Sequence, residues 1–214
     1  MDIKSIREYL GLEKDWEAVQ NRISSALQSD IELLNATNGS ILSHSGKQMR
    51  PLLALLVARA CAEGCSASDA TIRYAAASEL LHNATLLHDD VADESEQRRG
   101  VPTIMSLMGP SVSVLLGDYW LVKAVELVLE DPEGDMRVIR LFSKTLSDLA
   151  EGEMLQLQKA QSGDTDENDY LRIIYNKTAS LFEAACVSAA ISVNAPAEYE
   201  KAAKDYAVAL GLAF

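Results

Sequence analysis

A chain of 214 residues, 48% of them hydrophobic, is long enough to bury a sizeable core and predicts one globular domain over residues 1–214. With 11 glycines and 5 prolines, collagen-like and linker-like architectures are excluded. The 32 acidic residues outnumber the 19 basic ones, and a net charge of −13 argues against a nucleic-acid partner while leaving carboxylates for a divalent metal.

Apolar residues recur at helical spacing nearly everywhere and alternating strand patterns are missing, which predicts an all-α bundle of about eight helices. Residues 2–36 read as an amphipathic helix, open to a break at Gly11, with Ile23, Leu27, Ile31 and Leu34 on one face. The TNGS stretch (37–40) reads as a polar break, and SHSGKQMRP (43–51) as a loop. PLLALLVARACA (51–62) follows as a buried helix with Pro51 at its start. GCSASD (64–69) breaks the chain again, with Ser66, Ser68 or Asp69 as the N-cap.

A long helix runs from Asp69 to about Asp93, and residues 94–102 are charged and loop-like. Gly109-Pro110 opens a helix over 111 to about 130, apolar enough to be buried on most sides, and DPEGD (131–135) ends it. A helix over 136–160, the acidic loop QSGDTDEND (161–169), and helices over 169–193 and 197–214 complete the chain. No run approaches the ~20 apolar residues of a membrane span, and the charged N-terminus lacks an apolar signal core. The odd set Cys61, Cys65 and Cys186 reads as buried thiols of a reduced, cytoplasmic protein.

The chemistry concentrates in LLHDDVADESEQRRG (86–100). Asp89 and Asp93 are four residues apart, on one helix face, with Asp90 flanking them. Three anions at a helix C-terminus repel one another and oppose the helix dipole, and Mg²⁺ would relieve both effects. Arg98 and Arg99 behind them, and the apolar run before them, fit a metal-bound diphosphate beside a greasy substrate. Upstream, Lys47 and Arg50 in GKQMRP can clamp a phosphate at a helix start. His82 lies two helical turns before Asp89 and can donate to a phosphate, whereas His88 reads as structural. Lys177 and Thr178 lie in an apolar helix, where a lysine needs an anion. Glu153 and Gln156 are three apart in EGEMLQLQ. Asp164, Asp166 and Asn168 imitate a calcium loop, but Asp169 and Tyr175 stand where such a loop needs Gly and Glu.

Taken in order, GKQMRP, ELLHNATLLHDDVADESEQRRGVPT, GDYW, EGEMLQL and KTASLF resemble the trans-polyprenyl diphosphate synthases, above all the long-chain, octaprenyl type. The resemblance implies an isoprenoid synthase-type helical bundle with a central cavity, usually a homodimer. It implies Mg²⁺-dependent head-to-tail condensation of isopentenyl diphosphate onto an allylic diphosphate such as geranyl or farnesyl diphosphate. Carried over by motif, Asp89 and Asp93, supported by Asp90, would bind Mg²⁺ with the allylic diphosphate. Arg98, Lys177 and Thr178 would contact that diphosphate, and Gln156 would face it. Lys47, Arg50, His82 and Arg99 would hold isopentenyl diphosphate.

The resemblance also implies a second aspartate-rich motif, and the 214 residues stop at Gly211-Leu212-Ala213-Phe214, where the segment introducing it begins. The expectation is therefore an N-terminal part of a longer synthase, with little activity of its own. Small residues at Ala84 and Thr85 leave room for a long tail, and Tyr74, about 22 Å along the helix from Asp89, is the expected floor. A class I terpene cyclase is the first alternative, opposed by the second cationic set. A non-catalytic subunit of a heteromeric synthase is the second, opposed by the intact DDVAD and RRG. An HD-type phosphohydrolase fails because no histidine follows His88.

Overall fold

The computed structural model describes residues 3–62, 64, 66–130 and 134–214. Cys65 and residues 131–133 of DPEGD, on which two expectations fell, lie outside them.

The long first helix of the sequence reading is divided twice. α1 (Ile3–Leu10) stops at Gly11, whose φ of +64° ends the turn, and α2 (Glu13–Ala26) follows. The second division falls before α3 (Glu32–Ser43), so TNGS lies inside a helix rather than breaking one. The reason is tertiary. Asn38 is buried, its Nδ2 donating to the Leu27 carbonyl at 2.9 Å and its Oδ1 accepting the Trp120 indole N–H at 2.8 Å. Thr37 donates to the Leu33 carbonyl at 2.5 Å. The actual break is closed locally: Asn35 Nδ2 donates to the Ser29 carbonyl (2.7 Å) and Asn35 Oδ1 accepts the Ser29 N–H (3.1 Å). Ile31, expected on the apolar face, is exposed there.

α4 (Met49–Cys61) carries Pro51 in its first turn, where no helical N–H is lost. α5 (Asp69–Ala92) is capped by Ser68, whose Oγ accepts the Thr71 N–H at 3.0 Å. The loop-like 94–102 stretch contains a small antiparallel hairpin of β1 (Gln97–Arg98) and β2 (Val101–Pro102). After it come α6 (Ile104–Met108), α7 (Pro110–Leu129) and α8 (Met136–Ser162). α9 (Glu167–Ile174) opens on an Asp166/Asp169 capping box and runs through a π-helical turn (Tyr175–Ala179) into α10 (Ser180–Ser192). α11 (Ala197–Ala213) closes the chain. The described residues thus form eleven α-helices where about eight were expected, the additions being short pieces and divisions of longer ones.

α5 is the axle of the bundle, packed by α2, α4, α7 and α10. Ala75, Ala76, Ala77 and Ala84 on it are fully buried, and these small side chains let neighbouring helices approach on several sides. Leu80, Leu81, Leu116, Trp120 and Phe182 fill the space between them. Among the described residues, no helix is long and apolar enough to cross a membrane.

Candidate active site

The end of α5 and the hairpin after it assemble one wall. Successive side chains on a helix point about 100° apart, so Asp89 and Asp90 serve different neighbours. Asp90 is buried beneath the hairpin and accepts from Arg98 Nε at 2.9 Å and Nη2 at 2.8 Å. It is the member of the expected metal trio that the structure sets apart, as an anchor for Arg98. Asp93 is exposed at the helix end. The hairpin turns through Arg99 (φ +54°) and Gly100 (φ +79°), the two positive φ values of a tight primed turn. Thr103 ties its base, donating to the Ser95 carbonyl at 2.7 Å.

A cavity of about 640 Å³ opens against this wall. Lys47 and Arg50 enter it from the loop and first turn of α4, and His82 and Asp89 from α5. Arg98 and Arg99 come from the hairpin, and Lys177 and Thr178 from the π-helical turn. Eight of the eleven expected site residues therefore meet in one space; Asp90, Asp93 and Gln156 do not line it. The glycine of GKQMRP has a specific duty. A Cβ on Gly46 would stand 1.8 Å from Arg99 Nη1 and 2.3 Å from its Cζ, so the guanidinium lies where a side chain would be.

Burial and charge set the protonation states. Burial pulls the Arg50 guanidinium down to about 10, opposed by Glu79, and its Cζ stands 4.6 Å over the Phe182 ring. Burial pushes the Glu79 carboxyl up, while Arg50, Asn83 and Arg99 oppose it; Asn83 Nδ2 donates to its Oε1 at 3.2 Å. Burial, then Arg50, Arg99 and Arg98, hold His82 well below the usual histidine range, so it presents a neutral ring with one N–H. Burial and Glu153 push Asp89 up to about 6, against Lys177 and Arg98. Lys177 Nζ bonds Gln156 Oε1 at 2.9 Å and pairs with Glu153 Oε2 at 2.5 Å. Gln156 thus acts on Lys177.

Glu79, Asn83 and Phe182 were missed in the sequence reading. Glu79 precedes His82 by three residues and Asn83 by four, a face-sharing spacing that was available as a signal. Phe182 carried no comparable signal.

Asp89, Thr85 and Lys177 also border a second space of about 250 Å³, walled by Leu121, Leu146, Leu149 and Ala150. Leu146 is shared with a third, again about 250 Å³, between Leu81, Ala124, Val128, Ile139 and Phe142. The polar cavity thus shares walls with an apolar groove between α5, α7 and α8. Tyr74, the expected floor, does not line it: Phe142 does, with the Tyr74 ring packed behind at 6.4 Å.

The profile of the polyprenyl synthetase family matches residues 31–214. The chain belongs to that family. Octaprenyl diphosphate synthase of Escherichia coli (strain K12) is 40% identical over 215 residues, covering 100% of this chain and 64% of the relative. A decaprenyl diphosphate synthase structure from Rhodobacter capsulatus superposes with a TM-score of 0.90 at 38% identity, over 99% of this chain and 63% of that one. A polyprenyl synthase from Caulobacter crescentus CB15, solved with calcium and isoprenyl diphosphate, gives a TM-score of 0.90 at 34% identity, over 99% and 62%. This polyprenyl synthetase chain therefore has the all-α isoprenoid synthase fold, and spans just under two thirds of the length of these relatives.

Proposed function

We propose that the protein is a prenyltransferase that condenses isopentenyl diphosphate head-to-tail with an allylic diphosphate, geranyl or farnesyl diphosphate, to build a long all-trans polyprenyl diphosphate. The observation that carries this reading is that a cationic cavity and an apolar groove adjoin, with Thr85, Asp89 and Lys177 lining both. A polar head and a growing hydrocarbon tail need those two environments joined end to end.

In this reading Lys47, Arg50, Arg99 and the neutral N–H of His82 hold isopentenyl diphosphate. Lys177, Thr178 and Arg98 hold the allylic diphosphate with its tail in the groove. The cofactor is Mg²⁺. Asp89 and Asp93 offer it hard oxygen donors on one helix face, and no cluster of three His, Cys, Asp or Glu ligands is present among the described residues. That donor set fits an ion whose other ligands are diphosphate oxygens and water. Bound there, Mg²⁺ would neutralise charge on the leaving diphosphate. The allylic C–O bond breaks and the electron pair leaves with the diphosphate. The isopentenyl double bond attacks the allylic carbon, and a proton passes to the released diphosphate. Lys177 and Arg98 stabilise the leaving charge, and Leu121, Leu146 and Leu149 keep water from the cation.

The test is elongation of farnesyl diphosphate with labelled isopentenyl diphosphate and Mg²⁺. It is run on the 214-residue chain and on a chimera extended with the part of the Escherichia coli relative that the match leaves uncovered. Labelled polyprenyl product from the chimera, with little from the shorter chain, is expected. A folded chimera that makes none refutes the reading. We further propose a homodimer. Leu115, Val122 and Leu129 recur every seven residues on α7 and stay at least half exposed, a stripe suited to a second copy.

A further inference from the structure

Lys177 and Thr178 sit in the π-helical turn of a helix that is regular on both sides. Such a turn absorbs one extra residue and is uncommon, so something must hold it. α8 and α11 press on it through glycines: a Cβ on Gly152 would meet Asn176 Cβ at 2.7 Å, and one on Gly211 would meet Ala179 Cα at 2.4 Å. These contacts permit close approach, but they do not select the wide turn over a regular one.

One hydrogen bond fits the wide turn and not a regular one. The Tyr175 hydroxyl, at the start of the turn, donates to Glu183 Oε2 at 2.9 Å, eight residues on. Eight residues of regular α-helix rotate about 800°, which leaves the two side chains about 80° apart; taking up one extra residue reduces this to about 20°. Glu183 is buried, and its other oxygen is paired with Lys204 Nζ of α11 at 2.8 Å, which leaves Oε2 to the Tyr175 hydroxyl.

We propose that Tyr175 and Glu183 are positioning residues: their hydrogen bond keeps residues 175–179 π-helical and so aims Lys177 and Thr178 into the diphosphate cavity. Relaxation to a regular helix would turn Lys177 by about 100° relative to the Phe182 side of the cavity. Lys177 would then leave Glu153 and Gln156 as well. The assignment of the allylic diphosphate to Lys177 rests on the function proposed above; the tether itself does not.

Two measurements on the 214-residue chain test it. In the first, without ligand, amide hydrogen exchange over 175–179 should quicken about ten-fold in Tyr175→Phe, the loss of one part-buried hydrogen bond. It should stay near wild type in Glu183→Gln, whose amide oxygen still accepts, and in Lys204→Ala, which removes only the outer ion pair. In the second, calorimetry with Mg²⁺ should show about ten-fold weaker farnesyl diphosphate binding in Tyr175→Phe, with isopentenyl diphosphate within two-fold of wild type. Unchanged exchange in Tyr175→Phe overturns the proposal, and so does equal weakening of both diphosphates. If neither the wild-type chain nor the chimera binds either diphosphate, the functional reading is refuted instead, while the exchange result still decides the tether.

Discussion

Gly152 and Gly39 are both helical glycines, and the structure predicts opposite outcomes for the same substitution. In Gly152→Ala the new Cβ would stand 2.7 Å from Asn176 Cβ, 3.0 Å from Lys177 Cγ and 3.2 Å from the Lys177 backbone nitrogen. Carbon atoms rest at about 3.5–4.0 Å, so α8 and the π-helical turn must part by about 1 Å. Asn176 is buried, and a backbone atom cannot swing aside. Overpacking of this kind costs about 1–3 kcal/mol. Gly39 is exposed in α3 with nothing within 4 Å of the added Cβ, so Gly39→Ala keeps only the helix-propensity gain of about 0.5–1 kcal/mol. Because Gly152→Ala enjoys the same gain, the gap between the two variants is the overpacking cost alone. For a chain of this size each kcal/mol moves Tm by about 2–4 °C, so the variants should separate by about 2–12 °C. Urea unfolding followed by circular dichroism, with m-values compared, measures the free-energy gap directly. Equal stability of the two variants would refute the close approach of α8 to the turn.

Three further outcomes are expected. Gly46→Ala must displace the Arg99 guanidinium, the end of a flexible side chain, so isopentenyl diphosphate affinity should fall about ten-fold while Tm moves by less than about 2 °C; the reverse pattern in calorimetry and melting would contradict it. Phe142→Ala opens the wall of the apolar groove, so in an active chimera chromatography of the polyprenols should show longer products, and an unchanged distribution argues that chain length is set elsewhere. Burial pushes the Cys186 thiol up to about 12, from an ordinary value of 9.0. Above that unfolded value the unfolded chain loses the proton first, so the native state is destabilised by about 1.4 kcal/mol per pH unit until its own value is reached. The difference between wild type and Cys186→Ala in urea midpoint should therefore narrow between pH 8.5 and 10.5, and a constant difference would show that Cys186 does not carry that slope.

Legibility varied with how local the physics was. Asp89 and Asp93 could be placed on one face of a helix from their spacing alone, because helical periodicity is a property of adjacent residues. The Gly109-Pro110 start was readable for the same reason, and the α5 cap was narrowed to Ser66, Ser68 or Asp69, of which the structure uses Ser68. TNGS misled because its polarity was read as exposure. Trp120, more than eighty positions away, supplies the partner that lets Asn38 be buried. The pairing of Asp90 with Arg98 could not be read from spacing, because the hairpin brings the two together.

By itself, the sequence determined the helical class, the ordered motifs and the chemical kind of the site: carboxylates, cations and apolar runs at spacings that only a few reactions require. The tertiary structure decided what those residues do to one another. It laid Arg99 across Gly46, set the cationic cavity against an apolar groove lined by Phe142 rather than Tyr74, and wound residues 175–179 one residue wide. Each of these depends on close contacts between segments far apart in the chain, and such contacts have no period that a single sequence displays.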